Sequence, residues 1–248
     1  MRLLFAVQCH RFERRLAWQL SSIAGQLGDI PDILIDVATL AGTGYVGQVV
    51  ADVMGHCDHA FSLRQYGKID RFAYRGYMRT DQILLARQNK CDWVFFADCD
   101  NVYSPDFFAL LKAEIDKADP KDSGCIYSVA KHHTEVSATD VAVMHGENTY
   151  KADAYEAALK LPRIKKANKN VAAGCMQVCA LESIMSRTGG SYVEKTKDTH
   201  LFNKGQGARS DIQFRRIMGG GRRIELPAQI HLNHARDKEA GKHLEDQR

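Results

Sequence analysis

Two carboxylates one residue apart, Asp98 and Asp100, close the apolar run Trp93-Val94-Phe95-Phe96-Ala97. In open α/β sheets the ligand crevice lies outside the carboxyl ends of the strands, where two such side chains can converge on a hard cation. A divalent ion held there can bridge the oxygens of a diphosphate and stabilise its charge as it departs. The same pair also suits a plainer arrangement, with one Asp capping the turn and the other solvated. A basic stretch, Arg163, Lys165, Lys166 and Lys169, reads either as a solvated loop or as a surface for an anionic acceptor. No aromatic side chains interleave with these cations, which argues against single-stranded nucleic acid. His132 and His133 are adjacent; on a strand they point to opposite faces and would not share one ion.

These side chains need a scaffold, and the composition supplies an ordinary globular one. The 248 residues are 45% apolar and 26% charged, with 34 Lys plus Arg against 30 Asp plus Glu, a formal charge of +4. Disorder, collagen and coiled coil are excluded as the main architecture. No apolar stretch approaches the roughly 20 residues that cross a bilayer. The run Leu3 to Val7 is too short and too soon charged for a secretory segment, so a cytoplasmic location is expected. Seven cysteines form no CxxC pair and are expected as reduced thiols.

Along the chain, an apolar strand Arg2–Gln8 precedes a helical stripe of Leu16, Leu20 and Ile23. A second strand, Asp32–Val37, follows, and Ala41–Gly47 reads as a loop. A β-α-β unit of this kind predicts a parallel sheet with right-handed crossovers. A helix is expected between Arg75 and Asn89, leading into the strand Trp93–Ala97, and another from Pro105 to about Asp119. Ser123–Ala130 is a strand candidate, Lys131–Gly146 has no clear period, and Glu147–Leu161 reads as an alanine-rich helix. Cys175–Ala180 reads as a strand and Leu181–Arg187 as a short helix closed by Gly189 and Gly190. Ser210-Asp211-Ile212-Gln213 is a capping box opening a helix that stops at Gly219–Gly221. The expected architecture is one α/β domain over residues 1–248, with a mostly parallel, Rossmann-like sheet flanked by helices.

In this order the motifs resemble the inverting glycosyltransferases of the GT-A fold, family 2 in particular. Val7-Gln8-Cys9-His10-Arg11, with Leu16, Leu20, Ser22-Ile23 and Gln26, is similar to the family's opening strand, turn and helix. Asp98-Cys99-Asp100 precedes Ser104-Pro105-Asp106-Phe107, like the family's D-x-D and following x-P-D-F. Gly174 to Ala180 with Gly189-Gly190 resembles a third motif, and Ser210-Asp211, Arg215-Arg216, Gly219–Gly221, Pro227 and His231 or His234 resemble the last. The resemblance runs from Leu3 to His234.

It implies roles for particular residues. Asp98 and Asp100 become the metal and diphosphate pair, with Asp100 the direct ligand. Gln8 and His10 would touch the nucleoside, and Asp36 would read the uracil. Arg79 would lie near the nucleotide, although Thr80 stands where the family has Asn. Asp211 matches the general base that takes the acceptor hydroxyl's proton, with Ser210 in place of a Glu before it. His231 or His234 would complete the metal shell through a neutral imidazole, the spacing favouring His234. The implied activity is transfer of a sugar, with inversion, from a nucleotide diphosphate sugar to an acceptor hydroxyl, using Mn2+ or Mg2+. A UDP-sugar is the expected donor. The acceptor, whether a glycan, a lipid-linked sugar or nucleic acid, stays open. Residues 1–101 would form the nucleotide-sugar half and 102–248 the acceptor half, ending in a polar tail.

Two alternatives stand beside this one. A haloacid dehalogenase-like phosphatase also uses D-x-D, with Asp98 as nucleophile and Asp100 as general acid, but places it on the first strand. A GT-A-like domain that binds a nucleotide sugar or glycan without turnover fits the departures at Thr80 and Ser210.

Overall fold

The computed structural model describes residues 1–9, 12–42, 45–67, 74–120, 125–127, 132–146, 148–164, 176–192, 214, 216–219, 221–223 and 229–233. Its first strand, β1 (Arg2–Gln8), is followed by α1 (Glu13–Ala24) and β2 (Asp32–Leu40). Then come α2 (Val46–Met54), β3 (Ala60–Tyr66) and α3 (Tyr74–Gln88), which leads into β4 (Trp93–Asp98). After β5 (Asn101–Tyr103) and α4 (Phe107–Ile115) the chain forms β6 (Cys125–Tyr127), β7 (His132–Thr134), α5 (Val136–Met144), α6 (Ala154–Leu159) and β8 (Arg163–Ile164). The last described elements are β9 (Met176–Ala180), α7 (Leu181–Thr188), β10 (Gly221–Arg223) and β11 (Gln229–His231).

A seven-stranded sheet, ordered β10-β6-β9-β4-β1-β2-β3, forms the centre. The pairs β4-β1, β1-β2, β2-β3 and β10-β6 are parallel, and β9 runs antiparallel to both β4 and β6. The sheet is buried on both faces, which is why β1 and β4 read as continuous apolar runs instead of alternating ones. Leu3, Phe5 and Val7 face a core shared with α1, α2 and α4, whereas Leu4 and Ala6 face one shared with α3, α7 and Phe214. Phe5, Phe95, Tyr103, Phe107 and Phe108 interlock in the first core with ring centroids 4.5–6.3 Å apart, within the range where edge-on and offset aromatic pairs attract.

Several expectations change here. The second strand continues beyond Val37 to Leu40, because Thr39 and Leu40 pair with Gln65 and Tyr66 of β3. Asp36 is therefore mid-strand and not at its end. The turn residues Ala41, Gly42 and Tyr45 fit the loop expected over Ala41–Gly47, but its last two residues open α2, whose Val46, Val49, Val50 and Val53 are all buried. Helix α4 is shorter than expected, with Asp106 at its N-cap. The Phe108 N–H donates to Gln26 Oε1 at 2.9 Å, so the turn after α1 supplies a side-chain acceptor for the first turn of α4. In place of one long helix over Glu147–Leu161 there is only α6. Before it, the Tyr150 N–H is bonded to Asp52 at 2.6 Å and the Lys151 N–H to Ser21 Oγ at 2.9 Å. Lys131–Gly146, without a clear period, contains β7 and α5. Gly189 closes α7 in the left-handed region, φ +63°, and Gly190 follows at +86°, conformations that glycine adopts without steric cost.

A second sheet, β5-β11-β7-β8, crosses the end of β4. Its β11 pairs antiparallel with β5, setting His231 opposite Asn101, and parallel with β7, setting it beside His133. No described helix is long and apolar enough to cross a membrane.

Candidate functional site

The carboxyl ends of β1, β2 and β4 lie side by side: Gln8 is in register with Ala38 on one side and with Asp98 on the other. The Asp98-Cys99-Asp100 turn distributes its three side chains in three directions. Asp98 is half exposed, with 47% of its side chain accessible, and its carbonyl accepts hydrogen bonds from Gln19 Nε2 at 2.6 Å and Asn101 Nδ2 at 3.4 Å. Cys99 enters the core beside Cys9, whose thiol hydrogen bond, together with burial, pushes the Cys99 thiol well above its usual range. Asp100 turns to the second sheet and is buried.

There its Oδ1 accepts from Asn101 Nδ2 at 3.1 Å, and its Oδ2 lies 3.3 Å from His231 Nε2. The turn is tied to β11 by the Leu232 N–H on the Asp100 carbonyl at 2.8 Å, and by Gln229 Nε2 on Asn101 Oδ1, also 2.8 Å. Thus the antiparallel register of β5 with β11 brings an imidazole from the far end of the chain to the second carboxylate. A buried carboxylate this close to an imidazole nitrogen is satisfied by a ring proton or by a cation shared between them, and oxygen with imidazole nitrogen is a donor set suited to a first-row divalent ion. Among the described residues no three His, Cys, Asp or Glu side chains form a closed metal centre. An open site of one or two carboxylates that leaves positions for phosphate oxygens is the usual form for Mg2+ with nucleotides.

Behind the strand ends, α3 supplies a polar stitch. Arg79 is 4% exposed, and its guanidinium donates to the Ala6 carbonyl at 2.6 Å and the Ala97 carbonyl at 2.8 Å, joining β1 to β4. It lies 5.2 Å from the Phe96 ring centroid and 3.9 Å from Asp98 Oδ1. Gln82, one turn on, donates to the Val7 carbonyl at 3.1 Å and to Asp36 Oδ2 at 2.9 Å. Asp36 is fully buried and held bidentately by Arg64, with Nε to Oδ1 at 2.9 Å and Nη2 to Oδ2 at 2.6 Å. Burial works against the Arg64 charge, but the hydrogen bond to Asp36 and the charge interactions with Asp36, Tyr66 and Asp81 together outweigh it and hold the guanidinium above its ordinary pKa.

The structure pairs Asp100 with His231 and sets Gln8 in register with Asp98, whose side chain does not join the Asp100–His231 pair, while Asp36 and Arg79 are buried behind the strand ends. His10, Asp211 and His234 lie outside the described residues, as do Gly174, Cys175, Ser210, Lys165, Lys166 and Lys169. Sequence reasoning passed over Arg64, Gln82, Gln19, Asn101 and Asn233. Gln82 carries a readable signal, since it falls three residues after Arg79 on one helical face. The others show their role only through strand pairing.

This arrangement of a mostly parallel sheet with β9 reversed and a small second sheet behind the Asp98–Asp100 turn is a GT-A-like fold. The fold matches S. aureus TarS 1-349 in complex with UDP-GlcNAc at 14% identity and a TM-score of 0.57, covering 96% of this chain and 59% of that one. It also matches the mannosyltransferase PcManGT from Pyrobaculum calidifontis, in complex with GDP-Man and Mn2+, at 16% identity and a TM-score of 0.58, covering 97% and 59%. The chain therefore spans less than two thirds of the length of either structure. No protein-family model matches the chain, and no curated protein matches it.

Proposed function

We propose that the chain transfers a sugar from a nucleotide diphosphate sugar, a UDP-sugar in the first instance, to an acceptor hydroxyl with inversion. The observation that carries this reading is the meeting of Asp100 with His231 at the carboxyl edge of β1 and β4. Asp100 and His231 would hold Mn2+ or Mg2+, with exposed Asp98 beside them, and His234 as a further imidazole. A cation bound there neutralises charge on the departing diphosphate. The ligands of the two structural neighbours, UDP-GlcNAc in one and GDP-Man with Mn2+ in the other, support a nucleotide-sugar donor.

The remaining roles are assigned to this chain's own residues. Gln8 and His10 take the nucleoside at the end of β1. Asp36, buried under Arg64, acts on the base through that guanidinium, and Arg79 positions the strand ends without touching the nucleotide. Asp211 would accept the acceptor hydroxyl's proton as the oxygen attacks the anomeric carbon. Residues 1–101 serve the donor and 102–248 the acceptor.

The test is thermal unfolding with UDP, GDP and their sugar conjugates, each with and without Mn2+. A ligand at about a hundred times its dissociation constant adds roughly 2.7 kcal/mol. Stabilisation by one nucleotide, only with metal and only when Asp100 is present, is the expected result. Stabilisation by a phosphate analogue with Mg2+ and by no nucleotide would favour the phosphatase alternative, with Asp98 as nucleophile.

A further inference from the structure

The segment following β11 returns at once into the second sheet. Asn233 is 5% exposed, its backbone N–H donates to Thr134 Oγ1 at 3.1 Å, and its side-chain Nδ2 donates to the Thr134 carbonyl. A carbonyl oxygen only accepts, so this contact fixes which way the amide faces: its nitrogen toward β7 and its oxygen toward His231. That oxygen lies 2.9 Å from His231 Nδ1. An amide oxygen also only accepts, so the ring nitrogen facing it must carry a proton. His133 Nδ1, 3.4 Å from the same atom, is a second and longer neighbour on that side. On the other side of the ring Nε2 faces Asp100 Oδ2, which also only accepts, so in the absence of a cation a proton lies between them.

We propose that Asn233 is a positioning residue that keeps His231 protonated on Nδ1 and thereby leaves Nε2, facing Asp100, as the nitrogen donor for a divalent cation. Outer partners of metal-bound histidines act in this way, and their loss typically weakens metal binding by about 10–100-fold. Thr134 contributes at one remove, because its carbonyl sets the amide. The value of this arrangement for metal binding rests on the site assigned above, whereas the protonation pattern of the ring does not.

Two measurements separate these. In metal-free protein, long-range nitrogen–proton NMR of the histidine rings, with His231 assigned by its absence from His231→Gln, is expected to show Nδ1 protonated whether or not Nε2 also carries a proton. A ring protonated on Nε2 alone in the native protein would overturn the inference, whatever the protein does with metals. Mn2+ titration by electron paramagnetic resonance then compares Asn233→Leu with Asn233→Asp. Asp keeps an acceptor for Nδ1–H but cannot donate to Thr134, so binding is expected to fall tenfold or more in Asn233→Leu and to stay within about threefold of native in Asn233→Asp. Equal losses in both would mean that Asn233 only braces β7 and would overturn the positioning role. If native protein shows the Nδ1–H ring but binds no Mn2+, the metal site fails and the role of Asn233 toward a metal fails with it, while its hold on the ring stands.

Discussion

His231 Nε2 stands 3.3 Å from Asp100 Oδ2, across the antiparallel pairing of β5 with β11. Residues 131 positions apart in the chain thus share one polar contact, on which metal binding is expected to depend. Asp100→Ala and His231→Gln should each abolish the metal-dependent rise in unfolding temperature produced by the preferred nucleotide. Asp98→Asn should reduce it. Differential scanning fluorimetry checks all three; an undiminished rise in Asp100→Ala would move the cation elsewhere.

Arg79 is expected to matter for stability before it matters for activity. Its guanidinium serves the carbonyls of Ala6 and Ala97 in a buried setting, and leaving such groups unpaired costs about 1–3 kcal/mol each. Arg79→Met should lower the urea-derived stability by about 2–5 kcal/mol. Arg79→Lys should recover only part, since an ammonium cannot span both carbonyls with the same geometry.

Asp36 and Arg64 form a pair of unequal exposure, with the Asp36 side chain fully buried and that of Arg64 24% accessible. Breaking such a pair from one side leaves an uncompensated charge, at a cost of about 3–5 kcal/mol. Arg64→Met alone should therefore be more damaging than the double replacement Arg64→Met with Asp36→Leu. A double-mutant cycle by chemical denaturation measures this directly, and simple additivity would argue against the coupling.

Asp211→Asn should lower the transfer rate by about 10²–10⁴-fold, the usual contribution of a general base. The nucleotide-dependent shift in unfolding temperature should be unchanged. Unaltered turnover would remove Asp211 from the mechanism and favour a binding domain or a different base.

Stability should fall as the solution is acidified through the histidine range. Burial lowers the pKa of His132, with the Arg163 charge adding to the effect, and burial likewise lowers that of His59. The unfolded chain then binds protons near the ordinary value of 6.5 where the folded chain does not, so stability rises with pH through this window and is lost as pH falls toward the folded values. Urea midpoints at several pH values should show a shallower dependence in His132→Gln than in the native chain. An identical slope would assign the acid sensitivity to other groups.

The local grammar of the sequence determined the elements that rest on dense apolar runs. β1, β4 and β9 could be read because both faces of the sheet are covered, so their strands are apolar throughout. α2 and β3 escaped notice for opposite reasons. The valine stripe of α2 is made of β-branched residues and interrupted by Gly47, which weakens a helical reading. β3 is an edge strand whose residues are at most partly buried, so it lacks the apolar run that marks a central one.

Among the site residues, Asp98 and Asp100 could be named from their position after a buried strand, because chain order alone puts them at the sheet's carboxyl edge. Which imidazole joins them could not be. The spacing favoured His234, which lies outside the described residues; the β5-β11 register places His231 at Asp100, and a register is a choice among pairings that only the assembled sheet makes. The same reason hid Asn233, whose meaning depends on a carbonyl of β7 99 residues earlier. It also disguised Arg79 and Asp36, which in sequence look like polar groups available to a ligand. The packing of α3 and β3 against the strand ends turned both inward, because buried polar groups must find partners within the protein.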